Sequence, residues 1–334
     1  MKKKIINYLI IFIVTILVLY FSLKDNYYDI LNQIININKI YLFIAFLLLI
    51  IFWIFRSYPM YNFSKKINKD FTYKDSFILT LRTQFFNAVT PFATGGQPYQ
   101  IYYLKSKNID YASSTSIVLE NFIVYQIALV FLGLVALYIN KFFHIFNNNP
   151  LLQELIALGF VVNTIVIVVM FAVAFSKKLN KKIINFGLKI LYKIHIVKDI
   201  DKKRKEWNES VNKFHSSASI LLSDKKNFAF NILCNFIALS SLYLIPLILL
   251  YSMGDFNSLT PLNGIVTSAY VMLIGSFVPI PGATGGLEYG FMSFYGSFIK
   301  GSKLNAVMLV WRFITYYFGI IVGSIALNVK GRKK

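Results

Sequence analysis

Apolar residues run along this chain in long blocks, at roughly 5–23, 38–55, 114–139, 154–175, 228–251 and 304–328. Each block is long enough to carry a helix across about 30 Å of hydrocarbon at about 1.5 Å per residue. Two further apolar segments, 76–104 and 262–300, are interrupted by proline and glycine. The first carries PFATGGQPY at Pro91 to Tyr99 and the second PGATGGLEY at Pro281 to Tyr289, identical at six of nine positions. The pattern predicts an all-α polytopic membrane protein with six full spans and two broken-helix hairpins.

Charge decides whether the interrupted segments cross or double back. If both double back, the chain crosses six times from a cytoplasmic N-terminus. The cytoplasmic pieces 1–4, 56–75, 105–112, 176–227 and 329–334 then hold 28 Lys and Arg, and five lie outside. Such an excess of basic residues marks the cytoplasmic side. Eight full crossings keep the same ends but leave Lys105 and Lys107 outside, so re-entrant hairpins are favoured. Both termini are expected in the cytoplasm. Lys2, Lys3 and Lys4 before the first apolar block resemble a secretory leader, but the block is long and no small-residue cleavage site follows, so it reads as a retained span.

The order span, span, hairpin, span occurs twice, over 1–140 (hairpin 76–104) and over 141–334 (hairpin 262–300). Three full crossings per unit is an odd number, so the second unit must enter the membrane in the opposite sense. Inverted repeats of this kind place broken segments from the two halves near the midplane. The second unit carries the basic insertion 176–227, with 14 Lys and Arg against five acids. Within it Ile183, Ile184, Phe186, Ile190, Leu191 and Ile194 recur between lysines at helical spacing, as in a helix lying on a membrane surface. A linker whose charge only fixes orientation fits this stretch equally well.

The knots suit the tip of a broken helix. Pro91, Pro98, Pro279 and Pro281 cannot continue a helix, while Gly95, Gly96, Gly285 and Gly286 permit a tight reversal. Backbone groups freed by the break must be buried in protein or line a wet cavity. N–H groups at a helix start, with the Thr94 and Thr284 hydroxyls, would make an anion cradle. The plainer reading is that Ala-Thr-Gly-Gly allows close packing, with each hydroxyl bonded to backbone.

Four ionisable residues fall within the apolar segments: Arg82, Glu120, Glu288 and Arg312. Each costs about 2.5 to 3.5 kcal/mol at a span centre unless paired, hydrated or functional. They form structural ion pairs, or Arg82 and Arg312 offer a guanidinium fork to a phosphate while Glu120 and Glu288 orient them or meet a cationic headgroup. Gln97, Gln100 and Asn87 add neutral hydrogen-bonding groups beside the first knot.

Composition narrows the rest. Hydrophobic residues make up 57% of 334, and the net charge is +21. The basic residues lie between apolar runs rather than on a soluble face, so the expected partner is an anionic membrane surface rather than nucleic acid. Cys234 is the single cysteine, and His144, His195 and His215 have no metal-ligand spacing. No disulfide framework, metal site, nucleotide loop or other cofactor is expected.

With these residues in view, the chain resembles the membrane region of lysylphosphatidylglycerol synthases, the multiple peptide resistance factor group, and related stand-alone flippase-like membrane proteins. The resemblance rests on TPFATGGQP at Thr90 to Pro98 with Gln100 and Leu104, on Glu120, on PIPGATGGLE at Pro279 to Glu288, and on Trp311 to Phe313. Two positions depart from the commoner pattern: Ala283 stands where glycine is frequent, and Asn121 where arginine is frequent. The resemblance implies movement of phosphatidylglycerol, its lysyl ester or a related lipid-linked headgroup between leaflets of the cell membrane, and a role in peptide and antibiotic resistance. The headgroup would meet Arg82, Thr94, Gly95, Gly96, Gln97, Glu120, Thr284, Gly285, Gly286, Glu288 and Arg312. Relatives that synthesise the lysyl lipid carry a large soluble domain after the membrane region. Here six residues follow the last span, so a lysyltransferase is disfavoured and no catalytic residue is assigned. A secondary transporter of a small soluble anion is the alternative, and a second copy of the chain is a further candidate partner.

Overall fold

The computed structural model describes residues 27–146, 150–193, 199–276 and 278–329, and every regular element among them is helical. The first apolar block, Lys2 to Lys4 and the basic residues after Val329 lie outside the described residues.

Helix α1 is Tyr27–Ile35 and α2 is Lys39–Ile67. Helices α3, Tyr73–Ala88, and α4, Gly96–Ser106, flank a short 3-10 turn at Pro91–Ala93, the first knot. Then come α5, Tyr111–Phe143, α6, Pro150–Phe175, α7, Lys177–Lys193, α8, Ile200–Ser223, and α9, Lys225–Ser252. Helices α10, Pro261–Gly275, and α11, Gly286–Tyr295, flank the second knot at Pro281–Ala283. The final helix α12, Gly301–Asn328, contains a π-helical turn at Phe313–Tyr317. Helices α2, α5, α6, α9 and α12 are long and apolar enough to cross a membrane. The protein is an all-helical, multi-pass membrane protein.

Polar caps set the helix starts. Asn38 accepts from the Ile40 N–H, Asp110 from those of Ala112 and Ser113, and Asp224 from that of Asn227. Thr72 and Asp75 form a reciprocal capping box at the start of α3, satisfying donors that have no partner inside the helix. One expectation needs correction here. The span predicted at 38–55 continues to Ile67, because apolar residues resume after Arg56 at Tyr58, Met60, Tyr61 and Phe63. Arg56 therefore belongs to a spanning helix and not to a loop.

Both interrupted segments double back. Helix α3 has 16 residues and α4 has 11, roughly 24 and 16 Å, too short to cross singly. Phe86 stacks on Tyr99 at 4.2 Å, and the Lys107 ammonium lies 2.7 Å from the Asp75 carboxylate. The hairpin thus leaves near the level at which it entered. In the second hairpin the Tyr295 hydroxyl meets Ser268 at 2.6 Å and donates to the Gly264 carbonyl at 3.3 Å, so α11 returns along α10. The hairpins enter from opposite ends of α2. The first has its base where the Asn68 amide donates to the Lys107 carbonyl, and the second follows Ser252, whose carbonyl accepts from the Asn38 N–H. Their tips pack against one another between those ends.

Most of the core surrounds the second hairpin, where Tyr243, Tyr270, Phe291, Phe294 and Tyr295 are fully buried. Ser268 donates to the Tyr243 carbonyl, Tyr270 to that of Ala136 and Tyr295 to that of Gly264. Gly159 lets α6 approach α10, since a Cβ there would lie 2.9 Å from the Leu273 carbonyl oxygen. Helices α7 and α8 pair with one another. Along α7, Ile183, Phe186 and Ile190 are exposed.

A polar clasp ties the loop before α10 to the start of α12. The Lys303 ammonium lies 3.0 Å from Asp255, which also accepts from the Ser258 N–H and hydroxyl. Burial pushes the Asp255 carboxyl up, but Lys303 and Ser258 together outweigh it and hold the group below its ordinary value. A depressed folded value contributes stability above the unfolded carboxylate pKa of about 3.9, lost as pH falls through the folded value. The detergent-solubilised protein should therefore melt at lower temperature on going from pH 5 to below pH 4, and Asp255→Asn should remove that part of the decline.

Candidate functional site

The second knot turns through Gly282 and Ala283, both at positive φ (64° and 51°), and Gly285 follows at 87°. A side chain at Gly282 would run into the Tyr316 ring. At the corresponding places of the first knot Phe92 and Ala93 take φ of 53° and 52°, a conformation costing about 1 to 2 kcal/mol for residues with a Cβ. The two tips share this positive-φ pair and then diverge: Thr94 and Gly95 are right-handed helical, at φ of -83° and -73°, whereas Thr284 is extended and Gly285 takes positive φ.

The second knot is pinned by charge. The Glu288 carboxylate accepts from the Gly285 N–H at 2.7 Å and meets Arg312 Nε at 2.6 Å. Arg312 also donates to the Gly282 carbonyl at 3.1 Å and to the Thr284 hydroxyl at 3.3 Å, and its guanidinium stacks on Tyr316. Tyr316 in turn donates to the Ala88 carbonyl of the first hairpin. The π-turn directly after Arg312 adds a residue to the helix there, a device frequent at functional sites.

The threonines serve the backbone. Thr94 donates to the Pro91 carbonyl and Thr284 to that of Pro281, each at 2.9 Å. The Gly95 N–H donates to the Thr90 hydroxyl, and the Gly285 N–H to Glu288. Those two N–H groups of the expected cradle are therefore engaged within the knots, because a tip with broken helical pairing recruits the nearest acceptor.

Arg82 caps a helix. Its Nε donates to the Ala326 carbonyl at 2.9 Å, one terminal nitrogen to the Val329 carbonyl at 2.6 Å and the other to the Tyr99 hydroxyl at 3.2 Å. These carbonyls end α12, where helical acceptors lack partners and the dipole favours a cation. All three guanidinium nitrogens are engaged, and Arg82 does not line the cavity below. Replacing it with Met should raise amide hydrogen exchange selectively in the last turns of α12, by roughly ten-fold for the loss of about 1.5 kcal/mol.

Where the tips meet, a cavity of about 630 Å³ opens between α2, both hairpins, α5, α6, α9 and α12. That volume is in the range of ~300 to 1,000 Å³ that houses small ligands. Of the residues expected to bind a headgroup, Gln97 and Arg312 line it; Arg82, Thr94, Gly95, Gly96, Glu120, Thr284, Gly285, Gly286 and Glu288 do not. Asn87 and Gln97 present buried amide oxygens with no hydrogen-bond partner among the described residues. Gln126 and Asn163 bond to one another, and Asn163 continues to Ser276.

The cation of this cavity is Arg56. It donates to the Asn121 amide oxygen at 2.9 Å and lies 4.7 Å above the Tyr125 ring. Among the described residues no carboxylate pairs with it, whereas Arg312 is held by Glu288. Arg56 also lines a smaller, polar pocket with Thr80, Thr83, Asn87, Gln97 and Gln100. Sequence reasoning missed it by ending the span at residue 55. The signal was present: a lone arginine with aromatic and aliphatic neighbours on both sides. Gln126 and Asn163 were missed because neutral amides leave no mark on a charge count.

Fold and cavity define a multi-pass helical membrane protein whose two broken-helix hairpins meet at an internal, cationic, amide-lined chamber. By sequence, the chain belongs to the lysylphosphatidylglycerol synthase TM region family, which it matches over residues 5–323. That places it in a lipid-related membrane family. It is also similar to a UPF0104 membrane protein of Archaeoglobus fulgidus, 24% identical over 317 residues that cover 87% of each chain. No solved structure matches the chain.

Proposed function

We propose that the protein moves an anionic phospholipid, such as phosphatidylglycerol or its lysyl ester, between the two leaflets of the cell membrane. The phosphate sits against Arg56 in the central cavity while the acyl chains stay in lipid. The observation that carries this reading is an arginine facing a chamber of about 630 Å³ and bound, among the described residues, to an amide and an aromatic ring with no carboxylate. A desolvated guanidinium of that kind favours a phosphate. Asn87 and Gln97, with their unpartnered oxygens, accept from headgroup hydroxyls or an ammonium. A side route for the tails is consistent with α6: Asn163 and Val166 line the cavity, while Ile165 and Val168 on the same helix are exposed.

The hairpins serve as the two half-gates of an inverted pair, 1–140 and 141–334, with both termini and the basic stretch 176–227 on the cytoplasmic side. The exposed Ile183, Phe186 and Ile190 then rest α7 on the anionic leaflet. The test is leaflet exchange of headgroup-labelled phosphatidylglycerol and its lysyl ester in vesicles holding the purified protein. Exchange well above protein-free vesicles supports the reading. No exchange of any phospholipid, with uptake of a soluble anion instead, replaces it.

A further inference from the structure

Helix α5 holds an acid that the cavity does not use. Glu120 is fully buried, and neither carboxylate oxygen has a hydrogen-bond partner among the described residues. It follows Ser113 by seven residues and precedes Phe131 by eleven, so all three lie on one stripe of the helix. Ser113 touches Ser217 of α8 at 3.0 Å, and Phe131 packs on Phe236 of α9 at 6.0 Å between ring centres. That stripe therefore faces the seam with α8 and α9.

On α9, Asn231 and Asn235 are fully buried, and an Asn231 amide nitrogen and the Asn235 amide oxygen are unpartnered. Asn62 of α2 donates to Asn231 at 2.8 Å, and Ser116, one turn before Glu120, has an unpartnered buried hydroxyl. Several titratable groups on the neighbouring elements have partners elsewhere. Arg56 of α2 is on Asn121, Tyr103 of α4 is beside Asp75 and Arg82, and His215 of α8 is on Asn180. Lys213 of α8 acts on Asp110, and Cys234 of α9 is a buried free cysteine.

We propose that Glu120 is a proton-binding site that couples proton movement to transport, an inference that rests on the transport function above. A buried carboxylate without a counter-cation is unfavourable, so the arrangement described here holds the acid form. Release breaks the carboxyl O–H bond and forms one to an incoming water, which carries the proton away, and the charge left behind favours an arrangement in which water reaches the seam. Asn121, the next residue on α5, holds Arg56, so displacement of α5 at Glu120 reaches the cation of the cavity. A metal cation would need several more oxygen ligands than one carboxylate supplies; a proton needs one.

The test uses the full chain in phosphatidylglycerol-containing vesicles, with the membrane potential clamped at zero and a pH gradient imposed. Labelled phosphatidylglycerol should reach an uneven leaflet distribution, up to roughly ten-fold per pH unit for one proton per lipid. With Glu120→Gln the label should still move but settle evenly, and Glu120→Asp should keep the gradient response at a lower rate. An even distribution in the unaltered protein, a gradient response kept by Glu120→Gln, or a sodium gradient substituting for the proton gradient overturns the proposal. If no lipid moves at all, the transport reading fails, and infrared difference spectra decide the proton site alone. A protonated-carboxyl band at neutral pH that vanishes in Glu120→Gln supports it, and absence of that band overturns it.

Discussion

Arg312→Leu is expected to cost about 3 to 5 kcal/mol of stability, as breaking one side of a buried ion pair does, and to be read as a large fall in melting temperature in detergent. Among the described residues, the substitution leaves the buried Glu288 carboxylate with the Gly285 N–H alone, and it removes a donor from the Gly282 carbonyl and the Thr284 hydroxyl. Both partners are almost wholly buried, with side chains 5% and 8% exposed, so solvent does little to screen the loss. Glu288→Gln in the same background should recover part of the stability, because it removes the unpaired charge. Equal melting of Arg312→Leu and the unaltered protein would show that the second knot does not depend on this clamp. The outcome also separates two roles for Arg312: a phosphate ligand alone would leave stability intact and lower transport.

Arg56→Gln is expected to do the reverse. Its partners are a neutral amide and an aromatic ring, so no buried carboxylate is orphaned among the described residues and the melting temperature should change little. Leaflet exchange of phosphatidylglycerol should fall roughly 10- to 100-fold, since a hydrogen bond to a charged group contributes about 1.5 to 3 kcal/mol and each 1.4 kcal/mol is about ten-fold. Arg56→Lys should fall between, because an ammonium keeps the charge but not the planar fork. Normal exchange by Arg56→Gln would remove the cation from the mechanism and leave the amides of Asn87 and Gln97 as the binding groups.

The three arginines divide by what each one holds. From sequence, Arg82 and Arg312 are the candidates for phosphate, since they are the arginines that fall within apolar segments, 76–104 and 304–328. In the fold Arg82 closes the end of α12 and Arg312 closes the second knot. Each is where the backbone lacks hydrogen-bond partners, and a guanidinium with five donors satisfies several carbonyls at once. Arg56, set apart as a loop residue by where the span was ended, is left facing open space.

Much of the fold was legible without coordinates. Five of the six full spans appear as long apolar helices, and both interrupted segments are hairpins that double back. A bilayer imposes that legibility: hydrocarbon demands about twenty apolar residues per crossing and forbids unpaired backbone, so length, proline and glycine alone mark the crossings and breaks. The repeated Ala-Thr-Gly-Gly likewise marks two helix breaks, and their glycines sit where side chains would collide or φ is positive. What only the tertiary structure decided is which polar groups are spent on the protein itself. Thr94, Thr284, Glu288, Arg82 and Arg312 bond within the chain, Glu120 is buried without a hydrogen-bond partner among the described residues, and Arg56 faces the cavity. Pairing depends on distance between side chains tens to hundreds of residues apart. Periodicity places a residue on a helix; only the packing of helices tells which charge is already satisfied and which is free to hold something else.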